Sequence, residues 1–133
     1  MKTLSHFGLA LLLAAILLPA CKGASLSSRQ TSLNETVVNY NDMFRWRDYE
    51  SASEYAIPSI REDFMAAAES WKRDLNVTDY EINKITLEQS GKEATVVVTR
   101  SFYKTPSVTV QRQEIRQRWI QLQGNWYLAG PPY

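Results

Sequence analysis

The hydrophobic pattern changes near residue 76, and this change restricts the fold of the chain more than any other feature. Before it, apolar residues recur at steps of four, three and four, as on one buried face of a helix: Leu33, Val37, Tyr40 and Phe44. After it, β-branched and aromatic residues form segments separated by turns at Ser90-Gly91, 105–107 and Gly124-Asn125. The sequence therefore predicts helices followed by strands.

Three helices are expected before the change. The first should run from Leu33 to about Asp48, with Ser32 and Glu35 at the spacing of a capping box. A short second helix is expected from Ser51, and Pro58 should end it. A third should follow Ser59, with this apolar stripe: Ile60, Phe64, Ala67, Ala68, Trp71 and Leu75.

Four strands are expected after the change, at residues 81–88, 94–103, 108–122 and 126–128. Their short connections imply antiparallel hairpins, and the whole pattern predicts an α+β fold with the helices packed on one face of the sheet. Because Ile120 and Leu122 break the alternation set by Ile115 and Trp119, a bulge is expected near Trp119.

The N-terminus has the pattern of an export signal. Lys2 precedes an uncharged run from Phe7 to Leu18, which is shorter than the roughly 20 residues of a membrane-spanning helix. Such a run is typical of a signal peptide, the alternative being a buried core helix. Leu18-Pro19-Ala20-Cys21 then resembles the bacterial lipobox. The resemblance implies cleavage before Cys21 and a lipid on its thiol, whereas ordinary cleavage beside an unmodified cysteine is the alternative.

These features imply three regions: a signal peptide at 1–20, a lipidated cysteine with a flexible tether at 21–32, and one α+β domain at 33–133. A membrane would then hold the protein through its lipid, in the cell envelope. Lys22 stands where aspartate commonly retains lipoproteins in the inner membrane. By resemblance to lipoproteins, the absence of that aspartate favours the outer membrane, facing the periplasm, in a Gram-negative cell. In a Gram-positive cell the same anchor would place the domain on the outer face of the plasma membrane.

The folded part resembles the nuclear transport factor 2-like superfamily, which includes the SnoaL-like proteins. The resemblance rests on RWRDYESASEYA (45–56), where a first helix gives way to a short second one, and on the closing strands WIQLQGNWYL (119–128). It implies a cone-shaped fold that can enclose a small-molecule pocket, and a homodimer through the open sheet face as one option. A cystatin-like or other helix-plus-sheet domain is the alternative.

Few catalytic groups are available. His6 is the only histidine and lies in the signal peptide, so histidine bases, Ser-His-Asp triads and histidine-based metal sites are not expected in the mature protein. No catalytic residue, metal or cofactor is predicted. A ketosteroid-isomerase-like enzyme is the alternative, and it would pair Tyr103 or Tyr127 with Glu88 or Glu114 inside the cone.

Charge suggests one binding surface. The chain has 15 Lys and Arg residues, one of them Lys2, which leaves 14 against 14 Asp and Glu, so no nucleic-acid partner is expected. Alternation places Arg112, Glu114, Arg116 and Arg118 on one face. A patch for an anionic ligand or a protein partner is predicted, with these members: Arg100, Arg112, Arg116 and Arg118. The alternative is a solvated face with Glu114 bridging its neighbours.

Three functions remain open from the sequence. The leading one is a membrane-anchored envelope lipoprotein whose non-catalytic domain binds an envelope protein or a small ligand. The second is an isomerase- or dehydratase-type enzyme that uses a carboxylate and a tyrosine. The third is a spacer with an inert surface.

Overall fold

The computed structural model describes residues 25–133, so the predicted signal peptide, Cys21 and residues 22–24 lie outside the described part. Three helices come first, with a 3₁₀ turn at Pro58–Ile60: α1 (Leu26–Arg45), α2 (Tyr49–Ser53) and α3 (Arg61–Asp74). Four strands follow: β1 (Leu75–Leu87), β2 (Glu93–Lys104), β3 (Gln111–Leu122) and β4 (Asn125–Leu128).

The strands form one antiparallel sheet in sequence order, β1-β2-β3-β4. The core contains the α1 stripe predicted from the sequence together with the inward residues of β2 and β3, among them Val96, Val98 and Trp119. At the β4 edge, the Leu128 amide donates to the Tyr55 carbonyl (2.7 Å) and the Ile57 amide donates to the Leu128 carbonyl (3.0 Å). The α+β architecture expected from the sequence is confirmed.

Helix α1 begins at Leu26 rather than at Leu33, so residues 26–32 form its first turns instead of a tether. The Ser25 hydroxyl caps it by accepting a bond from the Ser28 amide (3.2 Å). These turns lie against the β1–β2 turn at Gly91, where φ is +66° and an added Cβ would come within 2.6 Å of Arg29 Nη1. The hydrophobic pattern did not predict this extension, because residues 26–32 are mostly exposed. The Ser25 cap and the contact with the β1–β2 turn stabilise the added turns instead.

The next two helices differ from the prediction at their boundaries. Helix α2 begins at Tyr49, because the Asp48 carboxylate accepts a bond from the Ser51 amide (3.2 Å) and serves as the cap. Pro58 does not end α2 as expected, because the helix already ends at Ser53, and Pro58 instead opens the 3₁₀ turn before α3. The predicted capping box at Ser59 is wrong, because α3 starts at Arg61 with no side-chain cap.

Two irregularities in β1 allow it to follow the curved core. The strand starts at Leu75, earlier than predicted, and its register shifts between Val77 and Asp79 and again between Ile82 and Lys84. Each shift inserts one residue and so restores the inward direction for the next apolar side chain. The bulge expected near Trp119 is wrong. The β2–β3 register is regular there, with Ala94 opposite Trp119, and Ile120 and Leu122 lie on the opposite face from Trp119.

Candidate ligand-binding site

A charged side chain lies inside the fold, between the sheet and α1. Arg100 is on β2 with the same parity as Val96 and Val98, and it is only 4% exposed. Its Nη1 donates to the main-chain oxygen of Tyr133 (2.7 Å) and its Nη2 donates to Asn41 Oδ1 (3.1 Å). The guanidinium carbon lies 3.8 Å from the centre of the Phe44 ring, in the arrangement of a cation–π contact.

Two buried amides hold the acceptor of Arg100 in place. Asn41 Nδ2 donates to the Val37 carbonyl (2.9 Å), which leaves Oδ1 facing Arg100 and Gln117. Gln117 Nε2 donates to the same Oδ1 (3.1 Å), while Gln117 Oε1 accepts from Trp119 Nε1 (3.3 Å). The orientation of each amide is thus set by its neighbours, and the network connects α1 with both central strands.

The positive charge of Arg100 has no carboxylate side chain beside it in the part of the chain that the structure describes. Burial lowers the pKa of the guanidinium, which nonetheless stays protonated because its ordinary pKa is above 12. Buried charges need partners, and those of Arg100 are the Asn41 side-chain oxygen, the main-chain oxygen of Tyr133 and the Phe44 ring.

Two tyrosine hydroxyls near Arg100 also lack partners. Tyr40 and Tyr49 are buried, and neither hydroxyl makes a hydrogen bond among the described residues. Burial raises the pKa of Tyr40 to about 12 and raises that of Tyr49 as well. Both phenols are therefore neutral at physiological pH and can donate a hydrogen bond.

A cavity of about 320 Å³ opens beside Arg100, a volume at the small end of ligand pockets. Its wall is mostly apolar and includes Phe44, Trp71, Leu75, Val77 and Ile115. The Tyr133 ring packs with its centre 4.9 Å from that of Phe64 and 5.9 Å from that of Trp71. The segment ending at Tyr133 thus forms one side of the cavity. Another cavity, of about 360 Å³, lies between α1, α2 and β4 and is not next to Arg100.

The four-arginine patch predicted from the sequence is split between the two faces of the sheet. Arg112, Arg116 and Arg118 lie on the exposed face, where they approach Glu81 (3.6 Å), Glu114 (3.3 Å) and Glu93 (3.7 Å) respectively. Arg100 points the other way, because the strand register places it opposite Gln113 and not opposite one of these arginines. Exposed ion pairs of this kind contribute little to stability.

The residues of the catalytic alternative do not meet in the interior. Glu88 and Glu114 are exposed, whereas Tyr103 and Tyr127 are half-buried. Within residues 25–133, the buried polar and charged side chains are Asn41, Arg100 and Gln117, with no carboxylate among them. No group of three potential metal ligands occurs in this part of the chain. Among its helices, none is long and apolar enough to span a bilayer.

The patch predicted from the sequence included Arg100 but placed it on the wrong face of the sheet, and Asn41 and Gln117 were not predicted as site residues. A usable signal was present in the alternation of the strands. Arg100 has the same parity along β2 as Val96 and Val98, and Gln117 has the same parity along β3 as Ile115 and Trp119. Asn41 follows Val37 by one helical turn. Polar residues at core positions indicate either a buried network or a site, and here they form a buried network beside a cavity.

Raising the pH should destabilise the protein partly through Tyr40. The pKa of Tyr40 rises from the ordinary 10 to about 12 on folding. Its contribution to the free energy of unfolding is therefore complete below pH 10 and is lost as the pH rises towards 12. A single such group lowers the free energy of unfolding by about 1.4 kcal/mol per pH unit in that window. Tyr40→Phe should be at least as stable as the wild type at pH 7 and should lose less stability between pH 10 and 12. Urea unfolding at both pH values checks this, and an equally steep loss in the variant would contradict it.

No family model matches the chain, and no curated protein matches it either. Solved structures do match. A SEC-C motif containing protein from Rhodopseudomonas palustris has a TM-score of 0.63 and 16% identity, covering 79% of this chain and 83% of its own. A ketosteroid isomerase-like protein from Erwinia carotovora atroseptica has a TM-score of 0.58 and 13% identity, covering 74% and 89%. A scytalone dehydratase-like protein from Novosphingobium aromaticivorans has a TM-score of 0.60 and 13% identity, covering 74% and 78%.

These neighbours define the class of fold. Three helices and a four-stranded antiparallel sheet form the α+β fold of the nuclear transport factor 2-like proteins, as the sequence resemblance implied. At such low identity the similarity extends to the fold alone, and the function has to be argued from the site.

Proposed function

We propose that this protein is a lipid-anchored envelope lipoprotein whose cone binds a small ligand without catalysing a reaction. The observation that carries the binding role is Arg100, a buried cation at the wall of a mostly apolar cavity. Pockets that combine apolar walls with a few placed polar groups are typical ligand sites. The anchor is supported by the lipobox-like sequence that ends at Cys21.

The anchor and the cavity would lie at opposite ends of the domain. Helix α1 starts beside the β1–β2 turn, and its 20 residues span about 30 Å. The cavity lies at the other end of the sheet, where Leu75 pairs with Lys104. Only residues 22–24 separate Cys21 from the Ser25 cap, so the domain would stay near the bilayer. We infer that the cavity is at the end of the domain away from the lipid.

A catalytic alternative is favoured by one observation, the unpartnered hydroxyls of Tyr40 and Tyr49. The ketosteroid isomerase-like and scytalone dehydratase-like neighbours share the fold. A tyrosine can serve as the donor of an isomerase-type mechanism, but that mechanism also requires a base. The interior of the described part contains no carboxylate to act as one, so we favour binding.

Cell fractionation tests the anchor. The wild-type protein should be found in the membrane fraction and carry acyl chains on the fragment that begins at Cys21, because multiple acyl chains hold a protein stably at a bilayer. Cys21→Ala should move to the soluble fraction, since it lacks the thiol to which the lipid is attached. Immunoblots of the fractions and the intact mass give the result. An unacylated wild type, or a membrane-bound Cys21→Ala, would contradict the anchor.

The same purification tests the binding role by mass spectrometry of small molecules that accompany the protein. Ile115 lines the cavity and is buried, so Ile115→Trp should fill it and abolish co-purification of a ligand. Val110→Trp is the matched control, because Val110 is exposed in the loop before β3. A molecule retained by both variants would not be a cavity ligand. If no small molecule accompanies the wild type, the binding role is contradicted.

A further inference from the structure

One stretch of the sheet edge has no partner strand. Strand β4 pairs with β3 only from Trp119 to Leu122, so residues 111–117 of β3 form an unpaired edge in the described part of the chain. An unpaired edge is a template for pairing with another chain. We propose that a second copy of this protein pairs with this edge, antiparallel, with the two Gln113 residues opposite each other.

The main-chain groups at this edge are available to a partner at the even-numbered residues. In an antiparallel strand, the N–H and C=O groups of one residue point to the same side, and the side alternates along the strand. The Gln121 amide donates to the Lys92 carbonyl on the β2 side (2.8 Å), whereas the Arg118 carbonyl accepts from the Ala129 amide on the β4 side (2.8 Å). Because the β2–β3 register is regular, the groups of residues 112, 114 and 116 also point to the β4 side, where no described residue bonds to them.

Neither the C-terminal segment nor a strand irregularity protects this edge. After Ala129 the chain turns towards α3, against which the Tyr133 ring packs, and residues 130–132 make no main-chain hydrogen bond to β3. The β1 edge, by contrast, contains two register shifts, and such bulges commonly keep an edge from pairing. The stretch 111–117 contains no shift and no proline, so it can accept a strand.

Charge selects the register of the pairing. With Gln113 on the two-fold axis, Arg112 lies opposite the partner's Glu114, and Glu114 lies opposite the partner's Arg112. Opposite charges directly across two strands stabilise pairing, whereas like charges oppose it. A register centred on Glu114 would place the two Glu114 carboxylates opposite each other and Arg112 opposite the partner's Arg116. A register centred on Ile115 would place residue 111 of the second copy where β4 already lies.

The same register covers apolar side chains that are exposed in the single chain. Val108 and Val110 are 81% and 56% exposed, in the segment that leads into β3. Their alternation continues that of Arg112, so this segment would lengthen the paired strand. Val110 would then lie opposite the partner's Arg116, whose aliphatic stem can pack on it.

The symmetry is compatible with the proposed anchor. A two-fold axis between paired strands of one sheet is perpendicular to the sheet, so both α1 helices lie on the same face of the joined sheet. The two proposed anchors would lie on that side of the dimer, one at each end. One bilayer can therefore hold both copies.

Disulfide formation in the full chain tests the register. Cys21→Ala is the background, because Cys21 is the only cysteine of the sequence. Opposite residues of the kind that Gln113 forms have Cα atoms about 4.5 Å apart, which a disulfide can bridge. Gln113→Cys should therefore give a covalent dimer on mild oxidation, seen on a non-reducing gel. Gln111→Cys is the matched control, because its two copies would be about 14 Å apart, four residues along the strand, and should stay unlinked.

Charge reversal in the same background tests the contact between Arg112 and Glu114. Arg112→Glu or Glu114→Arg alone should raise the dissociation constant of the dimer about tenfold or more, because each places like charges opposite each other on both sides of the axis. The two substitutions together should restore the dimer. Lys84→Glu is the matched control, because Lys84 is exposed on the outer face of β1, away from the β3 edge. Sedimentation velocity measures the dissociation constants, and circular dichroism checks that each variant is folded.

Three results would overturn the proposal. The first is a background protein that sediments as a monomer throughout the concentration series. The second is a dimer that Gln113→Cys does not cross-link. The third is a dimer that is weakened by Lys84→Glu and not by the reversals at 112 and 114, as expected of packing through the sheet face. None of these results bears on the cavity, so the proposed function is tested separately.

Discussion

Trp119→Ala is expected to lower the free energy of unfolding by about 3–5 kcal/mol, the usual cost of removing a large buried aromatic side chain. Trp119 on β3 is fully buried, and its ring meets that of Tyr40 edge-on with centres 5.5 Å apart. Its indole nitrogen also donates to Gln117 Oε1. Alanine would leave a void at the point where α1 meets the sheet, because the neighbouring strands are held by regular pairing and cannot close it.

Trp46→Ala is the matched control for this prediction. Trp46 caps the C-terminus of α1 and is 74% exposed, with the Arg45 guanidinium 5.3 Å from its ring. An exposed cation–π contact contributes about 0.5–1 kcal/mol, so this variant should lose no more than that. Urea unfolding of the two variants gives the comparison. Similar losses of unfolding free energy in the two variants would contradict the difference in burial between Trp119 and Trp46.

Asn41→Ala is expected to lower the free energy of unfolding by about 3 kcal/mol, since it leaves a buried cation without one of its acceptors. The Asn41 side-chain oxygen accepts from both Arg100 and Gln117. Asn39→Ala is the matched control. Asn39 is an exposed residue of the same helix, so both substitutions carry the same change in helix propensity and only one disrupts the network.

A double-mutant cycle separates the network from simple loss of packing. In an Arg100→Met background the guanidinium is gone, so Asn41→Ala should destabilise clearly less than it does in the wild type. Equal losses in the two backgrounds would show that Asn41 does not act by accepting from Arg100. Urea unfolding of the four proteins supplies the coupling energy, and it depends on no assumption about the ligand.

The fold class followed from periodicity because helices and strands bury their side chains at different intervals. The stripe from Leu33 to Phe44 is buried throughout, and the antiparallel order of the strands was implied by their short turns. The boundaries were less accurate where a local contact decides them. The Ser25 cap and the packing of Arg29 beside Gly91 extend α1, and neither contact has a hydrophobic pattern that the sequence could display.

The site was only partly predictable. Alternation indicated that Arg112, Arg116 and Arg118 share a face, but it relates positions within one strand only. Whether Arg100 joins them depends on the pairing of β2 with β3, which places it opposite Gln113. The pairs that the catalytic alternative required, Tyr103 or Tyr127 with Glu88 or Glu114, do not form inside the fold for the same reason, because distance across a sheet is set by register and curvature.

Sequence alone thus determined the type and order of the elements, the absence of histidine after His6, and the lipobox-like position of Cys21, because each depends on residue identity and spacing along one chain. Only the tertiary structure decided that Arg100 faces inward, that Asn41 and Gln117 surround it, and that Tyr133 lies across its cavity. Those facts depend on which segments pack together. That packing results from the burial of apolar surface summed over the whole domain, which no local pattern specifies.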